Sequence, residues 1–225
     1  MGIVYNFYVC ETRKGMGVMR RFDPILYRIL RPVFTLVFHV WFHPVYINIG
    51  RIPKEGAVVL AGNHKHALDP IFVDSSTKRV VYTLAKKELH DGAFGWFFRG
   101  VGSIPVDLEA KKNHGALVAA IEHLNNNAAV NVSPEAGRNY TKELLLPFKP
   151  GAVVMAMRSG CPIIPYSITG DYKFRSRDLT ICFGRPFSVE GMTVEEANEK
   201  LYWEVEKLLL RNKGRNRRDG GKKQA

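Results

Sequence analysis

Residues 57–70 read Ala57-Val58-Val59-Leu60-Ala61-Gly62-Asn63-His64-Lys65-His66-Ala67-Leu68-Asp69-Pro70. A short apolar run of strand length stops at a glycine, four titratable side chains crowd into the next few residues, and a proline follows. Proline suits the first position of a helix, so a helix is expected to open at Pro70 with Asp69 as its N-cap. Strand, polar turn and helix together form the repeating unit of an α/β sheet, whose functional loops lie beyond the carboxyl ends of its strands.

Outward from this stretch the alternation continues. Further strands are expected at 80–84, 128–132, 163–168 and 179–183, each short, apolar and bounded by turn residues. Helices are expected at 70–76, 94–98, 111–125, 151–158 and 194–210, the last opened by the capping box Thr193 and Glu196. The pattern implies an α/β domain with a central, mostly parallel sheet flanked by helices. Cys161 reads as a small core residue beside a strand.

The chain has 225 residues, enough for one domain with a substantial core. Lys and Arg exceed Asp and Glu by 33 − 21 = 12, so anionic partners are expected. Residues 211–225 carry seven of those cations and one Asp, and read as a disordered basic tail. Cys10, Cys161 and Cys182 lack paired spacing, which indicates neither a disulfide framework nor a zinc site and suits a reducing cytosol. No export signal opens the sequence, and Asn6 argues against myristoylation.

Residues 1–46 form a separate N-terminal segment in this reading, with the sheet domain at 47–210. From Phe22 to Tyr46 the segment is rich in apolar and aromatic residues, and its uninterrupted part between Pro32 and Pro44 is too short to span a bilayer. Pro32 is expected to divide it into two short amphipathic helices. Phe34, Phe38, Trp41 and Phe42 are then expected to enter a membrane interface, making the protein peripheral at a cytoplasmic membrane face. A helical hairpin covering the domain's own sheet is the other reading.

His64 and Asp69 are five residues apart, about 500° on a continuous helix and roughly 140° out of register. They meet only if a turn folds between them. Three readings stand at this point: a helix cap beside a polar loop residue; a metal site from His64, His66 and Asp69; or a His–Asp pair for proton transfer. His39 and His43 also have metal-like spacing, but they sit in the apolar segment.

Four blocks together resemble the glycerolipid acyltransferases typified by 1-acylglycerol-3-phosphate acyltransferases. They are Asn63-His64-x-x-x-x-Asp69, the stretch Leu84–Asp107, Ser133-Pro134-Glu135-Ala136-Gly137-Arg138, and the apolar strand Cys161–Ile168. The resemblance implies transfer of an acyl group from acyl-CoA or acyl-carrier protein to a lysophospholipid hydroxyl. His64 would serve as general base and Asp69 as its partner, with no cofactor and no metal. It further implies substrate contacts by Asn63, Glu135, Gly137 and Arg138, the planar fork of Arg138 suiting phosphate. Leu108 stands where the family carries an arginine, and Lys111 or Lys112 is expected to substitute; Lys149 and Arg177 are further phosphate candidates.

That departure also leaves open a non-catalytic lipid-binding protein on the same fold. As a salt bridge, Glu135–Arg138 would stabilise little. A nucleic-acid partner is not expected, because neither a helix-turn-helix nor a stacking-aromatic pattern accompanies the basic charge.

Overall fold

The structure, a computed structural model, describes residues 24–93, 95–107, 114–176 and 178–221. Among these residues seven strands form one sheet: β1 (Val45–Ile47), β2 (Val58–Gly62), β3 (Val81–Lys86), β4 (Ile104–Val106), β5 (Ala129–Val132), β6 (Ile163–Thr169) and β7 (Thr180–Phe183). Their order is β1-β7-β6-β2-β5-β3-β4. Every pairing is parallel except β6 with β7. The expected mostly parallel sheet is therefore present. β1 and β4 were not anticipated, being too short to show a period.

Seven α-helices accompany the sheet among the described residues: α1 (Pro24–Phe42), α2 (Asp69–Ser75), α3 (Lys87–Asp91), α4 (Gly95–Gly100), α5 (His114–Asn125), α6 (Gly151–Ser159) and α7 (Val194–Gly221). On one face, β2, β5 and β6 pack under α5, α6 and α7 through Val59, Val130, Ile163, Ala152 and Leu201. On the other, Leu60, Ile164 and Tyr166 pack with Phe72 of α2 and Phe38 of α1. β2 lies between β6 and β5, buried along its whole length, so its C-terminal end delivers residues 63–69 to the middle of the sheet's edge. Gly62 is required there, because a Cβ would meet the Tyr166 carbonyl oxygen and ring at 2.4 Å.

The chain ends differ from the expected pattern in three places. Pro32 does not divide the N-terminal segment: α1 is one helix with the proline inside it. The lost backbone bond is offset by docking on both sides of the proline. Before it, Tyr27 donates to Asp74, and Arg31 pairs with the Asp74 carboxylate at 3.2 Å while donating to the Asp74 and Lys78 carbonyls beside the end of α2. After it, Phe38 packs on Phe72 at 5.3 Å between ring centres. The expected boundary at 46/47 also falls inside β1.

At the other end, α7 runs through residue 221, past the expected helix end at 210, and the rest of the expected basic tail lies outside the described residues. Asn212 is buried and donates to the Ser167 hydroxyl of β6 at 2.9 Å, tying the helix to the sheet beyond the apolar repeat. The expected capping box closes the other end: Thr193 N–H to Glu196 at 2.8 Å and Glu196 N–H to the Thr193 hydroxyl at 3.2 Å.

Candidate active site

The turn after β2 does fold His64 back on Asp69. His64 Nδ1 lies 2.8 Å from Asp69 Oδ2, and the same oxygen accepts the backbone N–H groups of Lys65 at 2.7 Å and His66 at 2.8 Å. Asp69 does not cap its own helix: α2 has no side-chain cap, and the carboxylate points backward into the turn. Its other oxygen, Oδ1, accepts the Tyr172 hydroxyl at 2.5 Å. A carboxylate ringed by donors can only accept, so the proton between the pair sits on His64 Nδ1. That leaves Nε2 with its lone pair, unbonded among the described residues. Asp69 is almost fully enclosed, with its side chain 2% exposed, whereas that of His64 is 22% exposed and reachable by a substrate.

The turn is clamped from two sides. The segment following β5 holds the His64 backbone at both ends: Glu135 Oε1 accepts its N–H at 2.8 Å, and its carbonyl accepts the Asn139 N–H at 2.9 Å. Glu135 Oε2 accepts the Leu146 N–H at 2.8 Å. The end of β6 holds the other side. Asn63 donates to the Ile168 carbonyl at 3.0 Å and accepts its N–H at 2.7 Å, and Lys65 reaches the Gly170 carbonyl.

These contacts alter the reading of several residues. Glu135 is buried, which pushes its carboxyl above the usual range, and its two backbone donors offset only part of that rise. It makes no ion pair with Arg138; both of its oxygens are engaged in supporting the His64 backbone and the 146 loop. Asn63 likewise spends both ends of its amide on β6. Arg138 is exposed, with its guanidinium 5.3 Å from the centre of the Tyr140 ring, and is free to meet an anion. A Cβ at Gly137 would meet nothing within 4 Å, and the left-handed residue of this turn is Ala136 at φ 55°. Lys149 is exposed, and its backbone N–H donates to Pro134 at 2.8 Å. Lys111, Lys112, Leu108 and Arg177 lie outside the described residues.

His66 turns away from His64: its ring stacks on Tyr172 at 4.2 Å and its Nδ1 accepts the Leu68 N–H. No group of three or more His, Cys, Asp or Glu able to hold a metal occurs among the described residues. His39 is engaged with the Thr35 carbonyl at 2.7 Å.

Beside the turn, α1 presents two unlike faces. Contrary to the expectation that both enter a membrane interface, Phe38 is buried and Phe42 half-buried, and both pack against Tyr172. The exposed face carries Ile29, Val33, Leu36, Val37, Val40 and Trp41, with Phe34 at its margin. Phe174 packs edge-on against Trp41 at 4.9 Å and extends this apolar surface to the loop that holds Asp69. No described helix is long and apolar enough to cross a membrane.

Tyr172 and Lys65 were not singled out from sequence. Lys65 was visible only as one charge in a polar turn, and Tyr172 only as an aromatic residue in the polar loop Asp171-Tyr172-Lys173-Phe174.

Comparison with known proteins fits this geometry. A family described as Acyltransferase matches residues 43–169, more than half of the chain and the whole His64 turn. The 1-acyl-sn-glycerol-3-phosphate acyltransferase of Helicobacter pylori is 33% identical over 170 residues, covering 72% of each chain. That of Haemophilus influenzae is 28% identical over 173 residues, covering 73% of this chain and 65% of its own length. The crystal structure of the 1-acyl-sn-glycerophosphate (LPA) acyltransferase PlsC from Thermotoga maritima superposes with a TM-score of 0.67. It has 24% identity and covers 84% of this chain and 79% of that one, a likeness of fold.

Proposed function

This chain belongs to the acyltransferase family, and from that premise we propose that it esterifies the free hydroxyl of 1-acylglycerol-3-phosphate, or a closely related lysophospholipid, with a fatty acyl group from acyl-CoA or acyl-carrier protein. The observation that carries this reading is the His64–Asp69 contact at 2.8 Å, which leaves Nε2 as a base on an accessible side chain. His64 takes the acceptor hydroxyl proton as that oxygen attacks the thioester carbonyl carbon. The tetrahedral intermediate then collapses with cleavage of the C–S bond, and His64 returns the proton to the departing sulfur. A thiol's pKa of about 8.5 makes thiolate a much better leaving group than the attacking alkoxide, so the forward direction is favoured without a protein nucleophile.

Arg138, exposed at the rim, is suited to the acceptor phosphate. The apolar face of α1 supports a peripheral seat on the cytoplasmic face of a membrane, from which a lysophospholipid reaches His64 with little displacement.

The test is acceptor-dependent release of free thiol from acyl-CoA and acyl-carrier protein, with 1-acylglycerol-3-phosphate and glycerol-3-phosphate as rival acceptors. His64→Ala is expected to lower turnover by roughly 10²- to 10⁴-fold. Wild-type turnover in that variant would remove His64 as the base. Lipid binding with no thiol release from any donor would favour a non-catalytic lipid-binding protein.

A further inference from the structure

Tyr172 lies outside the segment that matches the family, in the loop after β6. Its hydroxyl donates to Asp69 Oδ1, the oxygen that His64 does not use. Burial, and then the Asp69 charge, hold its phenol far above the usual range, so it stays protonated. The ring is fixed between the turn and α1: stacked on His66 at 4.2 Å, and edge-on to Phe42 at 5.5 Å and Phe38 at 6.2 Å. The loop is fastened to α1 again where the Arg175 N–H donates to the Trp41 carbonyl at 2.7 Å, and to the turn where Lys65 reaches Gly170. Residues 170–175 thus bridge the last turns of α1 and the His64–Asp69 pair.

We propose that Tyr172 is a positioning residue, through which the seating of α1 sets the orientation of Asp69 and therefore of His64. The inference rests on the general-base reading of His64. Three donors converge on Oδ2, and the Tyr172 hydroxyl is what fixes Oδ1 and with it the plane of the carboxylate. With that donor removed, the carboxylate turns more freely and holds the His64 proton more tightly. The titratable groups around Tyr172 are Asp69 and His66 from the turn, Tyr166 from β6 and Tyr46 from β1, while α1 meets it with Phe38 and Phe42. Asp171 and Lys173, its chain neighbours, pair with each other at 3.0 Å.

Tyr172→Phe removes the hydroxyl and keeps the ring. The assay uses a short-chain, water-soluble lysophosphatidate and a short-chain acyl-CoA, so that attachment to a surface does not enter. Turnover is expected to fall roughly 10- to 100-fold, the scale of loss when a group remote from the chemistry lets a reacting side chain shift by about 1 Å or less. Both KM values should stay within about twofold, and the acid limb of kcat against pH should move to higher pH. Phe42→Ala, with the hydroxyl intact, should lower kcat in the same direction and add little on top of Tyr172→Phe.

Unimpaired kcat with an unmoved pH profile in Tyr172→Phe overturns the proposal, and so does a loss confined to KM. Full additivity of the two substitutions overturns the link to α1. His64→Ala, measured alongside, separates the two levels. If it keeps wild-type turnover, the general-base reading itself has failed; if it is inactive while Tyr172→Phe is unimpaired, only the positioning role has.

Discussion

Glu135→Gln separates support of the turn from acceptor binding. The carboxylate accepts one N–H on each oxygen, from His64 and from Leu146, both at 2.8 Å. Glutamine keeps one acceptor and aims its NH₂ at the other donor. One charge-assisted bond is lost and one backbone N–H is stranded in a largely buried position, at a cost of about 2–4 kcal/mol. For a chain of this size that corresponds to a fall of roughly 5–15 °C in the unfolding midpoint. Whichever way the amide turns, the 133–139 segment shifts, and that segment sets the height of the His64 backbone. A displacement of about 1 Å at a reacting group can cost 10²-fold, so kcat should fall on the order of 10- to 100-fold while acceptor KM changes little. Thermal unfolding followed by circular dichroism, with thiol-release kinetics on the same preparation, measures both. An unchanged midpoint with a raised acceptor KM would refute the argument and assign Glu135 to the acceptor.

Four other outcomes are expected. Ala136 holds φ at 55°, so Ala136→Gly should stabilise the protein by about 0.5–1 kcal/mol in denaturant titrations; destabilisation would mean that its methyl packs usefully. Gly62→Ala drives a methyl into the Tyr166 backbone at 2.4 Å, and should cost at least about 2 kcal/mol and most of the activity; an undisturbed midpoint would contradict the packing. Burial pushes the Asp74 carboxyl from 3.8 up to about 6 against the pull of Tyr27 and Arg31, so folding favours its protonated form. That contribution is complete below about pH 4 and is lost as pH rises through about 6; a stability slope over this window that persists unchanged in Asp74→Asn would refute the assignment. On the outer face of α1, the double substitution Leu36→Ser with Val40→Ser should weaken cosedimentation with anionic vesicles without lowering the unfolding midpoint. Phe38→Ser should lower the midpoint, and the reverse pattern would invert the two faces.

The repeated strand–turn–helix unit was legible because its signals are local. Apolar runs of strand length, Pro70 near the start of α2 and the Thr193–Glu196 capping box each act within a few residues of themselves, and the sheet follows from them, whereas the His64–Asp69 encounter stood as one of three readings until the turn was seen. Membership of the acyltransferase family was legible in the four blocks Asn63–Asp69, Leu84–Asp107, Ser133–Arg138 and Cys161–Ile168.

What only the tertiary structure decided are partnerships between distant parts of the chain. Asn63 meets Ile168 across 105 residues, Asp69 meets Tyr172 across 103, and His64 meets Glu135 across 71. No period or spacing encodes such pairs. The same reason explains the inward turn of Phe38 and Phe42, the continuity of α1 through Pro32 and the anchoring of Asn212. A hydrophobic pattern says that a face will be buried, but which face is decided by the shape of what it meets, and that surface exists only once the sheet has assembled.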